Sequence, residues 1–296
     1  MLGRLQMDVD EAIEQYRHLA MTVFSAKNRC GDGKYNTEIL ENVIKDVVAK
    51  ASGSPDAALL AEPQGNERVW CRTWVLYYLC SWICQICRFR ISFVCAKNAL
   101  DMNGSPVLFR SYHQPQSLES EIPLDCRVWE AARATSAAPT FFKRIIIGNG
   151  QPYIDAAIGC NNPSDMVLNE AKALFGAREI GCFLSIGTGQ TKVTSIREPG
   201  FLQRLVPTDV IRALKAAAID CQTVHRLMLN RFKRSPNVYF RLDVDKGMAE
   251  TKLYEWKKMV EVEAHTMSYM RGAEVGELLS SLTKAIMRDA KGKHKA

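Results

Sequence analysis

The stretch Arg127-Val128-Trp129-Glu130-Ala131-Ala132-Arg133-Ala134-Thr135-Ser136-Ala137-Ala138-Pro139-Thr140-Phe141-Phe142, followed by Tyr153-Ile154-Asp155-Ala156-Ala157-Ile158-Gly159-Cys160-Asn161-Asn162-Pro163, decides how the rest of the chain is read. Its alanine-rich first part predicts a helix over residues 128–138, because alanine loses the least on entering a helix. Residues 152–155 read as a strand that closes on Asp155. Asn161-Asn162-Pro163 then caps a helix over 163–174, with Pro163 at its first position, where a missing N–H costs nothing. Taken alone, an aspartate at a strand-to-loop junction is a turn residue.

Outward from this stretch, the pattern alternates. Val9, Ile13, Tyr16, Ala20 and Val23 fall at spacings of three and four, and Asp8 and Asp10 suit a helix start. A second helix is predicted over 37–49, capped by Thr37 or Asn36, with Ile39, Val43, Ile44, Val47 and Val48 as its apolar face. Ser52-Gly53-Ser54-Pro55-Asp56 breaks it. Further strands are predicted over 93–96, 107–112, 179–186 and 238–244, and further helices over 208–231 and 269–288. Such alternation argues for the α/β class, with a mostly parallel sheet between helices. With no internal repeat and no low-complexity linker, the chain reads as one domain.

At 296 residues, 47% hydrophobic and 24% charged, the chain is long enough for one large α/β core. The ten cysteines follow no secreted framework, and Met1 opens directly onto Leu2-Gly3-Arg4-Leu5 with no signal peptide. They read as reduced thiols of a cytoplasmic protein, either free or peripheral to a membrane. The net charge of +7 is compatible with anionic partners and names none of them; no nucleic-acid partner is expected. The densest basic segments, 225–234 and 288–295, read as solvated surface.

Residues 74–87 run without a charge, too short to cross a bilayer as a helix, which needs about 20 residues. Cys80, Cys84 and Cys87 match no usual zinc spacing, so no metal is expected. An interfacial hairpin or helix is the other reading of this segment. Phe183-Leu184-Ser185-Ile186-Gly187-Thr188-Gly189 reads as a buried strand entering a glycine turn, because a lone G-x-G is weak evidence for a phosphate loop. His113 and His225 lack a partner pattern and are assigned no chemistry. Arg133 either holds an acidic site through a charged hydrogen bond or sits at the surface.

The A-x-x-A-T-S-A-A-P character of Ala131–Pro139, followed by the strand ending on Asp155, resembles the patatin-like phospholipase domain, in a form similar to fungal members. The resemblance runs from Met1 to about Arg271, supported by Leu242-Asp243-Val244-Asp245-Lys246-Gly247 and Tyr254-Glu255-Trp256-Lys257-Lys258-Met259. It implies a three-layer α/β/α sandwich over residues 1–275, with 276–296 as a helix end and basic tail. It also implies an acyl-ester hydrolase acting on a phospholipid or other acyl-ester lipid, with neither cofactor nor metal. In that family a serine on a G-x-S-x-G turn attacks and an aspartate takes its proton; Asp155 occupies the aspartate's place.

No serine of this chain lies in G-x-S-x-G, and Ser185 stands outside its glycine frame. Met1–Leu5 resembles the middle of the helix after the nucleophile turn, so the chain is expected to lack the first βα unit, the oxyanion loop and the nucleophile. The 296 residues are therefore expected to be inactive, whether as part of a longer hydrolase or as a non-catalytic lipid-binding remnant. Ala156 follows Asp155 where the family has glycine, and is expected to strain the backbone if that position needs a positive φ. Residues 74–92 interrupt the family pattern: removing them joins Cys71-Arg72-Thr73 to Phe93-Val94-Cys95-Ala96, as a short intron translated in frame would.

Overall fold

A computed structural model describes residues 1–28, 33–60, 91–113, 125–189, 221–248 and 251–292. Residues 61–90, with Cys80, Cys84, Cys87 and most of the 74–92 segment, lie outside the described residues, as do 201–220 and the last of the basic tail. The chain divides into two compact units, Met1–Ala156 and Ala157–Ala296.

In the first unit, helix α1 (Val9–Ser25) starts where the Asp8 carboxylate accepts the Glu11 N–H at 2.7 Å. Its buried residues are Ala12, Ala20 and Val23, so the stripe is rotated from the expected one and Ile13 and Tyr16 stand exposed. Helix α2 (Thr37–Ser52) is capped by Asn36, whose side chain accepts from Glu38 and Ile39, and it buries Leu40, Val43, Ile44, Val47 and Val48. It ends at Gly53, whose φ of 78° lets its N–H return to the Ala49 carbonyl at 2.8 Å.

Strands β1 (Phe93–Asn98), β2 (Val107–Arg110), β3 (Ile145–Ile147) and β4 (Gln151–Asp155) form one sheet in the order β2-β1-β4-β3. Helix α3 (Val128–Thr135) packs against β1, β3, β4 and α2. Ala131 and Ala134 on its length, and Ala137 just beyond it, are buried with almost no exposed surface. Small side chains there let the helix approach the sheet closely. The helix stops short of the expected Ala138 because the chain turns into Pro139.

The expected mostly parallel sheet is not what these strands make. β1 pairs antiparallel with β2 and β4, and β3 pairs antiparallel with β4. The reason lies in the connections: β1 to β2 and β3 to β4 are joined by fewer residues than the roughly dozen a parallel crossover needs. Strand β3 had no counterpart among the expected elements. Its signal is Ile145-Ile146-Ile147 followed by Gly148-Asn149-Gly150, in which both glycines take positive φ and close a hairpin turn.

The second unit pairs β5 (Phe183–Ile186) with β6 (Tyr239–Leu242) in parallel, Ser185 opposite Arg241. Helices α4 (Ser164–Phe175) and α5 (Cys221–Arg231) meet one face of this pair through Leu168, Met228 and Phe183. Helix α7 (Ala273–Gly292) covers the other through Leu282 and Ala285 against Phe240. The helix expected over 269–288 is α7, which starts at Ala273 because the chain breaks at Arg271-Gly272; α6 (Met259–Met270), which precedes it, had no counterpart among the expected elements. α7 runs through the boundary expected at residue 275. No disulfide joins the described cysteines, and no described helix is long and apolar enough to cross a membrane.

Candidate active site

Asp155 stands at the C-terminal end of β4, half-buried, in register with the fully buried Ala96 of β1. Side chains two apart on a strand share a face, so it lies on the same side as Tyr153. Tyr153 packs edge-on against Phe109 at 5.1 Å, and together these rings make the floor of that face. The Asp155 N–H donates to the Ala137 carbonyl at 3.1 Å. One backbone hydrogen bond thus joins the two halves of the stretch from which the reading began: the exit of the alanine-rich helix fixes the end of the strand.

That exit is itself tied down. The Phe141 and Phe142 N–H groups both return to the Ala138 carbonyl, at 3.0 and 3.1 Å. Between them and the helix, Thr140 takes a φ of 72°, a left-handed conformation that a β-branched residue adopts at a cost. The carbonyls of Thr140 and Phe141 accept from the Lys34 and Tyr35 N–H groups, each at 3.0 Å, and the Lys143 N–H reaches the Thr37 hydroxyl at 3.2 Å. Gly33 has to be glycine here: at φ 93°, a Cβ would also come within 3.0 Å of the Phe141 carbonyl oxygen. Phe24, Tyr35, Phe141 and Phe142 close over this join, with ring centroids 5.1 to 6.2 Å apart.

Arg133 fits neither expected reading. It has no exposed surface, and its Nε lies 3.4 Å from a Glu41 carboxylate oxygen of α2 while Nη2 donates to the Lys143 carbonyl. Burial pushes the guanidinium below its ordinary value, and Glu41 pulls it back. Nε and Nη1 make no hydrogen bond, so this is an ion pair without ideal geometry. Its role is to fasten α3 to α2, behind the motif.

The strain expected at Ala156 is absent. Its φ is not positive, and its methyl group is buried. The positive φ falls at Gly159 (92°), within the kinked turn Ala157–Cys160, three residues after the expected place. The cap reading of Asn161-Asn162-Pro163 is shifted by one: the Asn162 side chain accepts from the Ser164 N–H and hydroxyl, and Pro163 precedes α4.

The glycine turn after β5 is occupied by the protein itself. Gly189 N–H donates to Asp243 at 2.9 Å, and a Cβ on Gly187 would lie 2.2 Å from the same carboxylate. Asp243 pairs with Arg241 at 3.0 Å, and Arg241 donates to the Ser185 hydroxyl at 2.8 Å. Ser185 is bonded on to Ser164 at 3.1 Å. His225 shares a 3.0 Å hydrogen bond with Tyr239; burial and then the nearby Arg241 hold it below its ordinary value, with Asp243 opposing. This buried polar set was not foreseen, although Arg241 and Asp243, two apart on a strand of otherwise apolar character, were the available signal. It leaves the Gly187-Thr188-Gly189 amide at Gly189 engaged with a carboxylate, as expected for a turn that is not a phosphate loop. Among the described residues no cluster of His, Cys, Asp or Glu has the makings of a metal site.

No protein-family model matches the chain. It is similar to human calcium-independent phospholipase A2-gamma, 27% identical over 252 residues, which are 82% of this chain and 28% of that protein. Phospholipase A I of Arabidopsis thaliana is 30% identical over 118 residues, 40% of this chain and 9% of that protein. Patatin-like phospholipase 1 of Plasmodium falciparum (isolate NF54) is 28% identical over 181 residues, 51% of this chain and 26% of that protein. The chain therefore spans less than a third of the length of these relatives. Its homologues, at low identity, are patatin-like phospholipases.

Proposed function

We propose that the chain carries the proton-accepting half of a patatin-like lipid acyl hydrolase, with Asp155 as the base of a Ser–Asp dyad whose serine is not among residues 1–296. The observation that carries this reading is the Asp155 N–H to Ala137 carbonyl bond, which ties the strand-end aspartate to the alanine-rich motif. In the reaction, the serine oxygen bonds to the ester carbonyl carbon while its proton passes to Asp155. The tetrahedral intermediate collapses, the alkoxide leaves with the proton returned by Asp155, and an acyl-enzyme remains for water to hydrolyse. The substrate class is a phospholipid or related acyl ester, and the place of action the surface of a membrane. Residues 2–5 form a turn in the structure, so their likeness to a helix after the nucleophile rests on sequence.

A second reading has its own support: no G-x-S-x-G occurs in the 296 residues, which favours a non-catalytic lipid-binding remnant. Reading the transcript across the Met1 codon and the 74–92 segment separates the two. An upstream in-frame G-x-S-x-G with residues 74–92 spliced out supports the hydrolase, and the corresponding protein should then cleave a phospholipid with Asp155→Asn reducing the rate by roughly 10⁴. The transcript as the chain stands supports the remnant.

A further inference from the structure

The sequence contains two Asn-Gly pairs, Asn103-Gly104 and Asn149-Gly150. A glycine after an asparagine has no Cβ to shield its amide nitrogen. That nitrogen can attack the asparagine side-chain carbonyl when the peptide between them rotates into line. Both asparagines are exposed, so access to water does not separate them. The partners of their glycine N–H groups do.

Asn149 is the middle of the loop Gly148-Asn149-Gly150, between the paired Ile147 and Gln151 of the β3–β4 hairpin. All three loop residues are exposed, and the Asn149 side chain makes no hydrogen bond to the described residues. The Gly150 N–H donates to a neutral acceptor, the Gly148 carbonyl two residues back, at 2.7 Å. Space around Gly150 is open: nothing lies within 4 Å of where a Cβ would stand.

Gly104, in the β1–β2 connection, is held on both sides. Its N–H donates to the Asp101 carboxylate at 2.8 Å, and its carbonyl accepts from the buried Lys97 ammonium. A Cβ on Gly104 would clash with that same carboxylate, which therefore also crowds the approach to the nitrogen. To attack, Gly104 has to break a charge-assisted hydrogen bond, roughly twice as strong as a neutral one. It also has to give up its proton beside a negative charge, which opposes the loss.

We infer that Asn149 is a site of self-modification, converting to isoaspartate and aspartate through a cyclic imide, and that Asp101 protects Asn103 from the same reaction. The Gly150 nitrogen bonds to the Asn149 side-chain carbonyl carbon. The side-chain nitrogen leaves as ammonia, carrying the proton that Gly150 gave up. Water then adds to one of the two ring carbonyls and opens the ring. Cleavage of nitrogen from the side-chain carbon leaves aspartate; cleavage from the main-chain carbon leaves isoaspartate, whose main chain runs through Cβ. Water is the co-reactant, and neither the serine nor a lipid takes part. The isoaspartate adds a methylene and a carboxylate to the loop that sets the β3–β4 register, at the head of the strand that ends on Asp155.

The test is peptide mapping by mass spectrometry of the 296-residue chain, aged at mildly alkaline pH. In the folded chain Asn149 should convert on the order of tenfold faster than Asn103, and in denaturant the two rates should converge. Asp101→Asn, which keeps an acceptor oxygen and removes the charge, should speed conversion at Asn103 severalfold and leave Asn149 unchanged. Labelled methyl transfer by an isoaspartyl methyltransferase should mark the aged chain, and Asn149→Gln should lose most of that label. Amides of β3, the edge strand, should exchange faster in the aged chain than in the fresh one, and ageing should leave them unchanged in Asn149→Gln. Both substituted positions are exposed, and circular dichroism verifies that each variant folds. Equal rates at the two asparagines in the folded chain, or a methyl label undiminished by Asn149→Gln, would overturn the assignment to Asn149. An unchanged Asn103 rate in Asp101→Asn would overturn the protection by Asp101.

Discussion

Asp155 closes β4 and Asp243 follows the end of β6, and the two sit at different depths. Asp243, just past β6, is buried, with its carboxylate engaged by Arg241, the Gly189 N–H and Gln222, while its own N–H donates to the Tyr269 hydroxyl. Asp155, the last residue of β4, is half-buried and is fixed through its backbone to Ala137. A buried carboxylate surrounded by donors of its own unit holds a fold together, whereas Asp155 lies at the half-buried end of a strand, beside the alanine-rich motif.

The sharpest way to break that comparison is to remove each anchor. Asp243→Ala leaves the buried Arg241 without its counter-charge and should destabilise the second unit by about 3–5 kcal/mol, read by chemical denaturation. A loss below about 1 kcal/mol would mean that Asp243 is not structural. Ala137→Leu puts a large side chain where α3 meets the sheet, and should cost about 1–3 kcal/mol, with faster amide exchange at Asp155. Ala156→Gly should cost about 0.5–1 kcal/mol, because a buried methyl is lost at a position whose φ any residue adopts; a gain in stability would restore the strain argument. Asp56→Ala removes the exposed partner of Arg127 and Trp129, at 2.9 and 3.2 Å, and should cost no more than about 1 kcal/mol.

The smallest effect at neutral pH belongs to Cys126. Burial, then the neighbouring Glu130 and Asp125 carboxylates, push its thiol up to about 12. The sign follows from linkage: above the ordinary thiol value of 9.0 the unfolded chain has released a proton that the folded chain still holds. Its contribution is therefore complete below pH 9 and is lost as pH rises from there towards 12. Cys126→Ser should flatten that alkaline decline, and native Cys126 should resist alkylation by iodoacetamide at pH 8.5 while the unfolded chain reacts.

Much of the fold was legible because it is written in local chemistry. Asn36 and Gly53 bound α2 at both ends, and β-branched and apolar runs gave β1, β2, β4, β5 and β6 within a few residues. Strand direction was not legible, since alternation of helices and strands suggests crossovers and says nothing of the short returns that make β1, β2, β3 and β4 antiparallel. Helix α6 was not expected, and the start expected for the helix after it ran through Arg271-Gly272, where the chain breaks. Asp155 was singled out from its motif, but the Lys34 and Tyr35 contacts to Thr140 and Phe141 join residues more than a hundred apart, which no local pattern encodes. Arg133 looked ambiguous for the same reason: its partner Glu41 lies on another helix.

Thr140 has one further consequence. A left-handed threonine is disfavoured by roughly 1–2 kcal/mol, so residues 127–155 do not on their own prefer the turn that sets Asp155. The preference is imported from Lys34 and Tyr35, whose N–H groups hold the turn's carbonyls. The signature is therefore not portable: grafted into another α/β scaffold, it would bring its helix and its aspartate but not their alignment, unless the strap from Gly33 to Thr37 travelled with it.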